Sequence, residues 1–301
     1  MRRGAILLGV AGLLACGDRQ SSSAGSATAG SGRIAESVVD ARAGESAGTL
    51  AASGDTDATR SATSQPVKPY TNAEARGLAR AAGGVDGRRY VERPAAVPGV
   101  IVGVVKGGTP RDTSIVPTHD LSVCKPFTET QVPSKQGGVG NAVVWLEGVA
   151  EGPKDDAPRR VKLTLDGCHL EPHVQRVAAG GTVLVNSRDA MMSRLQFVAA
   201  GESMSRASIL LTDAGQIVPT SDVTAPPAIV EVRDDRHPWV RGWLAVAPHP
   251  FVAVTQADGQ FRFDNVPPGK YTLVVWQEKL GARKTTVRVE AGVQAGVEVT
   301  F

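Results

Sequence analysis

Few residues in this chain could do chemistry, and they are scattered. Its 301 residues include three cysteines, five histidines and four methionines. His237 has the most suggestive surroundings, with Glu231, Asp234, Asp235 and Arg236 before it and Trp239 after it. Carboxylates so spaced are donors for a hard cation, and the same residues also make an ordinary solvated turn. Met191 and Met192 are adjacent and, with His237, would form a soft site for Cu(I); packing is the plainer use of a thioether in a β domain. A hydrogen bond beside Trp239 is the plainer use of His237. Cys168 and His169 pair a thiol with an imidazole, but neighbours on a strand point to opposite faces. His169, His173 and His249 adjoin strands or proline turns and are given no chemistry. The chain has no Gly-x-Ser-x-Gly elbow, no glycine-rich phosphate loop and no His-Glu-x-x-His, so an enzyme is not expected. Trp145, Trp239, Trp243 and Trp276 would stack on sugars if exposed. Each lies in an apolar strand or beside a proline, which points to core packing.

Cys16 stands apart. It follows Leu13, Leu14 and Ala15 at the end of an apolar stretch, residues 5–15, that Arg2 and Arg3 precede. That is the pattern of a secretory signal with a small-residue cleavage site. The Leu-Leu-Ala-Cys ending resembles the lipobox of bacterial lipoproteins. The resemblance implies cleavage before Cys16 and lipid on that residue. The protein would then be anchored in the bacterial cell envelope, outside the cytoplasm, at the periplasmic face or the outer membrane. With Cys16 lipidated, Cys124 and Cys168 remain as a pair in an oxidising compartment. A disulfide between them is expected, with two buried reduced thiols as the alternative.

The elements that must position these residues begin late. After the signal (1–15), residues 16–66 are dominated by Ser, Ala, Gly, Thr and Asp and have no aromatic residue. Such a stretch buries too little apolar surface to offset the entropy of ordering, so a linker is expected. Residues 67–97 have an Ala-, Arg- and Glu-rich part with Thr71 and Asn72 as a cap, which reads as a short helix or irregular arm. From residue 98 the pattern turns to strands, over 100–105, 142–146, 161–165, 182–185, 228–232, 243–247, 251–255, 260–263, 271–276, 285–289 and 297–301. Short strands punctuated by Gly, Pro and Asp predict an all-β sandwich architecture. The formal charge of +3, from 33 basic and 30 acidic residues, is near balance and lacks a dense basic block, so nucleic acid is not an expected partner. Beyond the signal, no apolar run approaches the ~18 residues that a membrane span needs.

Six segments, in order, carry a further resemblance: NAVVWLEGV (141–149), GCHLEP (167–172), GGTVLVN (180–186), HPW (237–239), HPFVAVT (249–255) and DGQFRFDNVPPGKYTLVVW (258–276). They resemble bacterial extracytoplasmic proteins that join a plastocyanin-like (cupredoxin) domain to a carboxypeptidase-regulatory-like, transthyretin-like β module, some of them called methylamine-utilisation-like. The resemblance implies first strands over 98–159, a cupredoxin-like Greek-key sandwich over 160–247 and a small regulatory-like β-sandwich over 248–301. Residues 100–107 and 142–148 resemble the first strands of the regulatory-like module. The cupredoxin-like segment is therefore either inserted into that module or arranged in tandem with it. The family's copper ligands are two imidazoles, a thiolate and a weak axial thioether. Ser193 and Gln196 stand where the resemblance places the upstream imidazoles, Asp234 where it places the thiolate and Val240 where it places the methionine. Only His237 remains as a weak candidate ligand, and no copper is expected. The resulting expectation is a binding or scaffolding protein with membrane lipid on Cys16 and an envelope protein or glycan as partner. A periplasmic copper electron-transfer protein and a carbohydrate-binding envelope module are the alternatives.

Overall fold

The computed structural model describes residues 90–200, 202–224, 228–247 and 249–301. Cys16, the expected linker and the expected helix before residue 90 lie outside them. The described residues fall in one compact unit, Thr63–Phe301. Among them, the chain builds β-strands and a short 3-10 turn, Asp222–Thr224.

In chain order the first six strands are β1 (Val91–Glu92), β2 (Gly99–Lys106), β3 (Arg111–Ile115), β4 (Phe127–Val132), β5 (Val143–Glu147) and β6 (Glu151–Gly152). Nine more form a first sandwich: β7 (Arg160–Asp166), β8 (His169–Glu171), β9 (Val174–Ala178), β10 (Thr182–Ser187), β11 (Ser193–Ala199), β12 (Ala207–Leu211), β13 (Ile217–Thr220), β14 (Ala228–Asp234) and β15 (Arg241–Ala247). One sheet runs β13-β10-β7-β8 and the other β12-β11-β14-β15-β9. β7 and β10 are parallel, as are β9 and β15, which gives the mixed Greek-key order of a cupredoxin-like sandwich. Alternation drives it: Val161, Leu163 and Leu165 of β7 are buried while Arg160 and Lys162 face water. Their core partners include Val183, Val185, Leu195, Phe197, Val230, Val232 and Leu244.

The remaining strands are β16 (Val252–Val254), β17 (Gln260–Val266), β18 (Gly269–Gln277), β19 (Gly281–Val289) and β20 (Gln294–Thr300). They form a second sandwich that also takes in β2 and β5, with sheets β16-β5-β18-β19 and β17-β2-β20. β5 pairs with β16 and β18, and β2 with β17 and β20. The nine strands of the first sandwich therefore lie in sequence between paired strands of the second. The turn before β17 uses Asp258 and Gly259. Gly259 sits at φ 73°, where a side chain is strained, and an added Cβ would lie 2.1 Å from the Val105 carbonyl.

β5 and β18 carry unbroken apolar runs, residues 142–146 and 273–276, where alternation is the expectation for 271–276. Both faces of their sheet are covered. Val144, Leu146, Leu273 and Val275 pack inside the second sandwich. Val143, Trp145, Val274 and Trp276 pack on Val174, Ile229, Trp243 and Ala245 of the first. Trp243 meets Trp276 edge-on, with ring centroids 5.0 Å apart.

Candidate functional site

β11 brings Ser193 to one end of the first sandwich. Its side chain faces inward with those of Leu195 and Phe197, and the Ser193 Oγ is buried without a hydrogen bond. Gln196 has the opposite parity and points outward, where its amide donates to Asp235 Oδ2 at 2.9 Å. Of the two residues standing for imidazoles, only Ser193 faces the interior.

Asp234 ends β14, opposite Leu195 in register. Its Oδ1 accepts the backbone N–H groups of Arg236 (2.7 Å) and His237 (3.0 Å), and its Oδ2 is buried without a partner. His237 is fully buried. Its Nδ1 lies 3.2 Å from Asp234 Oδ1, outside hydrogen-bond geometry, and its Nε2 lies 2.8 Å from Asp120 Oδ2. The ring meets Trp239 edge-on at 5.5 Å. The hydrogen bond from His237 is the main reason the Asp120 carboxyl titrates below the usual range, with Arg236 adding to it. Val240 is buried and offers no donor atom.

Asp120 was not legible as a neighbour of His237. It lies between β3 and β4, far upstream of the first sandwich, and Cys124 ties that loop down. Cys124 and Cys168 form the expected disulfide, with Cα atoms 5.4 Å apart, inside the accepted window for such bonds. Asp120 also accepts, through its carbonyl, the N–H groups of Val123 and Cys124. Met191 packs on the bridge and joins its core cluster. Met192 points outward and is exposed, so the two methionines and His237 do not gather into one site.

Type 1 copper does not fit this donor set. One imidazole remains, crowded by carboxylates on both nitrogens. The thiolate position holds a hard carboxylate already bound to two backbone amides, and the axial position holds valine. Asp235 is exposed and Glu231 faces Arg233 and Arg241 at 3.5 Å, so neither joins Asp234 around a common point. Among the described residues, no three His, Cys, Asp or Glu side chains gather as a metal cage. Asp234 is buried and so does not belong to a solvated turn, contrary to the expectation from its sequence neighbours.

A second polar constellation lies where the sandwiches meet. Glu278 is almost fully buried, lies 3.0 Å through Oε1 from His173 Nε2, and accepts the Trp243 indole N–H at 2.6 Å through Oε2. Burial alone would lower the His173 pKa, but the hydrogen bond and charge of Glu278 outweigh it and raise it. Burial likewise raises Glu278, and its bonds to His173 and Trp243 reverse the sign. The sequence around His173 points to no chemistry, because its partner lies more than a hundred residues away. Nearby, an open groove of about 820 Å³ runs between β4 and β8, lined by Phe127, Glu129, Lys162, His169 and Arg188 among others.

The family profile of the carboxypeptidase regulatory-like domain matches residues 214–301. That match starts within the first sandwich and omits β2 and β5, which strand pairing makes integral to the second. No curated protein matches the chain. Solved structures similar to part of it include a cupredoxin, amicyanin variants and a copper-containing nitrite reductase. A purple cupredoxin from Nitrosopumilus maritimus is 13% identical, covers 29% of this chain and 99% of its own, and has a TM-score of 0.24. A reduced Cu(I) form of an amicyanin variant is 22% identical over 31% of this chain and 84% of its own, with a TM-score of 0.24. A copper-containing nitrite reductase from Thermus scotoductus is 14% identical over 34% of this chain and 25% of its own, also at 0.24. The strand order described above, and not these likenesses, makes the first sandwich cupredoxin-like.

Proposed function

We propose that this chain is a non-enzymatic, lipid-anchored protein of the bacterial cell envelope that acts in binding or scaffolding, built on a cupredoxin-like sandwich that holds no type 1 copper. The observation that carries the metal-free reading is Asp234. It stands where the thiolate would be, and its Oδ1 is committed to the Arg236 and His237 amides. A ligand so engaged supplies neither the softness nor the covalency of a copper–thiolate bond. The envelope reading rests on the Leu13–Cys16 ending, and membrane contact follows from lipid on Cys16. The partner is an envelope protein or a glycan. Near balance of charge gives nucleic acid no support.

The glycan alternative needs an aromatic platform. Trp145, Trp243 and Trp276 are buried and Trp239 is half-buried, which favours a protein partner. The electron-transfer alternative needs stoichiometric copper. Oxidised protein incubated with Cu(II) and desalted is expected to be colourless at roughly 600 nm, where the Cu–thiolate band of a His₂Cys site falls, and to retain well under one copper per chain. Stoichiometric copper would promote electron transfer over scaffolding. For the anchor, the wild-type chain is expected to take up radioactive fatty acid and Cys16→Ser to take up none. An unlabelled wild-type precursor would overturn the localisation.

A further inference from the structure

The sulfur atoms of Cys124, Cys168 and Met191 meet at one point in the core. Met191 Sδ lies 3.4 Å from Cys124 Sγ and 3.7 Å from Cys168 Sγ. All three residues are buried. We infer that this cluster is a redox-gated site for a soft monovalent cation of the Cu(I) class, closed while the disulfide is intact and formed when it is reduced. The inference is independent of the envelope reading and takes none of its ligands from the cupredoxin ligand positions.

The chemistry is balanced as follows. A dithiol reductant gives two electrons and two protons to the Cys124–Cys168 bond. The S–S bond breaks, each cysteine sulfur gains a proton, and the reductant closes to its own disulfide. Cu(I) then displaces both thiol protons to solvent and binds two thiolates and the Met191 thioether, with no change in its oxidation state. Thiolate and thioether are the donors that select Cu(I). Three sulfurs each about 2.3 Å from one ion, a typical metal–thiolate length, lie about 4 Å apart in a trigonal plane. Met191 already sits near that spacing from both cysteines, and cleavage frees the two cysteine sulfurs to take it up.

The cluster is held by more than the bond it would lose. On one side, the Gly167 and Cys168 N–H groups donate to the buried Asp189 carboxylate at 2.8 and 2.7 Å, which fixes Cys168. On the other, the Cys124 N–H donates to the Asp120 carbonyl at 2.8 Å, while the Asp120 side chain holds His237. Lys125 Nζ closes the same turn on the Leu121 carbonyl at 2.8 Å. The loop thus has non-covalent moorings that keep Cys124 facing Cys168 and Met191 after reduction. Leu121, Ser122 and Lys125 are exposed, so a single layer of chain separates the cluster from water.

The test uses the full chain, anaerobically, with and without prior reduction by a dithiol, titrated with Cu(I) against a chromophoric Cu(I) chelator. Reduced protein is expected to hold one Cu(I) per chain, and oxidised protein well under one. Met191→Leu, which keeps the disulfide and the core volume, is expected to weaken Cu(I) binding at least tenfold. Cys168→Ser is expected to abolish stoichiometric binding. Near-ultraviolet circular dichroism reports whether the reduced protein stays folded. Equal binding by oxidised and reduced protein, unchanged affinity in Met191→Leu, or loss of the fold on reduction would each overturn the site.

Discussion

His237 has no exposed surface, so whatever its nitrogens meet is decided inside the protein. Removing the Asp120 carboxylate leaves a buried Nε2 without its partner, and such a group costs about 1–3 kcal/mol. Asp120→Ala is therefore expected to lose about that much in urea unfolding, and Asp120→Asn less, because an amide oxygen still accepts. No change for Asp120→Ala would mean that water replaces the carboxylate. His249 carries a second expectation. Burial, with Arg176 adding to it, lowers its pKa to about 4 from the usual imidazole value of about 6.5. The unfolded chain therefore binds a proton at this residue before the folded one does. Its stabilising share is full above about pH 6.5 and is lost as pH falls toward 4. The loss is about 3 kcal/mol, at about 1.4 kcal/mol per pKa unit. His249→Phe should flatten the acid limb of a stability–pH curve, and an unchanged limb would assign it to other groups. At this scale the sequence showed which residue types were missing for copper, since that is a matter of identity. It did not show that Asp120 would face His237, because that contact spans 117 positions and leaves no periodic trace.

Among the elements, the β18–β19 turn matters most, because Glu278 in it joins the two sandwiches. Cutting a buried pair leaves an uncompensated partner and typically costs about 3–5 kcal/mol. Glu278→Ala is expected to fall in that range by thermal or urea unfolding. Glu278→Gln should cost less, since it still accepts the Trp243 N–H. If both cost nothing, the clamp adds nothing to the apolar packing around Trp243 and Trp276. His173 has the opposite pH sense to His249. Its raised pKa makes its share full below about pH 6.5 and lost as pH rises through the folded value. The disulfide closes a loop with a sequence separation of 44, and chain entropy assigns such a loop about 4 kcal/mol. The strands read from the sequence were those with β-branched or alternating apolar residues, such as β2, β7, β10 and β18. Strands β11 to β13 are harder to read because a buried Ser193 and an exposed Leu210 break the alternation of β11 and β12 and Pro219 interrupts the short β13. The β3–β4 hairpin escaped because Arg111–Ile115 has only one large apolar residue and covers no core of its own.

Across the molecule, His173 and His249 together place the best stability near pH 6.5, with losses on both sides. A urea series over pH 4–9 should show that maximum, and a curve rising steadily to pH 9 would dismiss the His173 share. The interleaved pairing yields a sharper test. A fragment of residues 248–301 has the resembled module's own strands but lacks β2 and β5, so Val274, Leu273 and Phe261 lose the faces they pack on. It is expected to show no cooperative unfolding transition, whereas residues 90–301 should show one; a cooperative fragment would make the upstream strands dispensable. The same interleaving imposes a schedule on biosynthesis. Whether the chain emerges from the ribosome or across a membrane, β5 appears well before β16 and β18, and at a synthesis rate of about 5–20 residues per second the intervening residues 148–251 take several seconds to be made. During that wait Val143–Leu146 is an unpaired apolar strand. The first sandwich can fold inside the gap, and once compact it brings the ends of a long loop together at little further entropic cost. The emerging chain is therefore most exposed to aggregation before residue 277 appears.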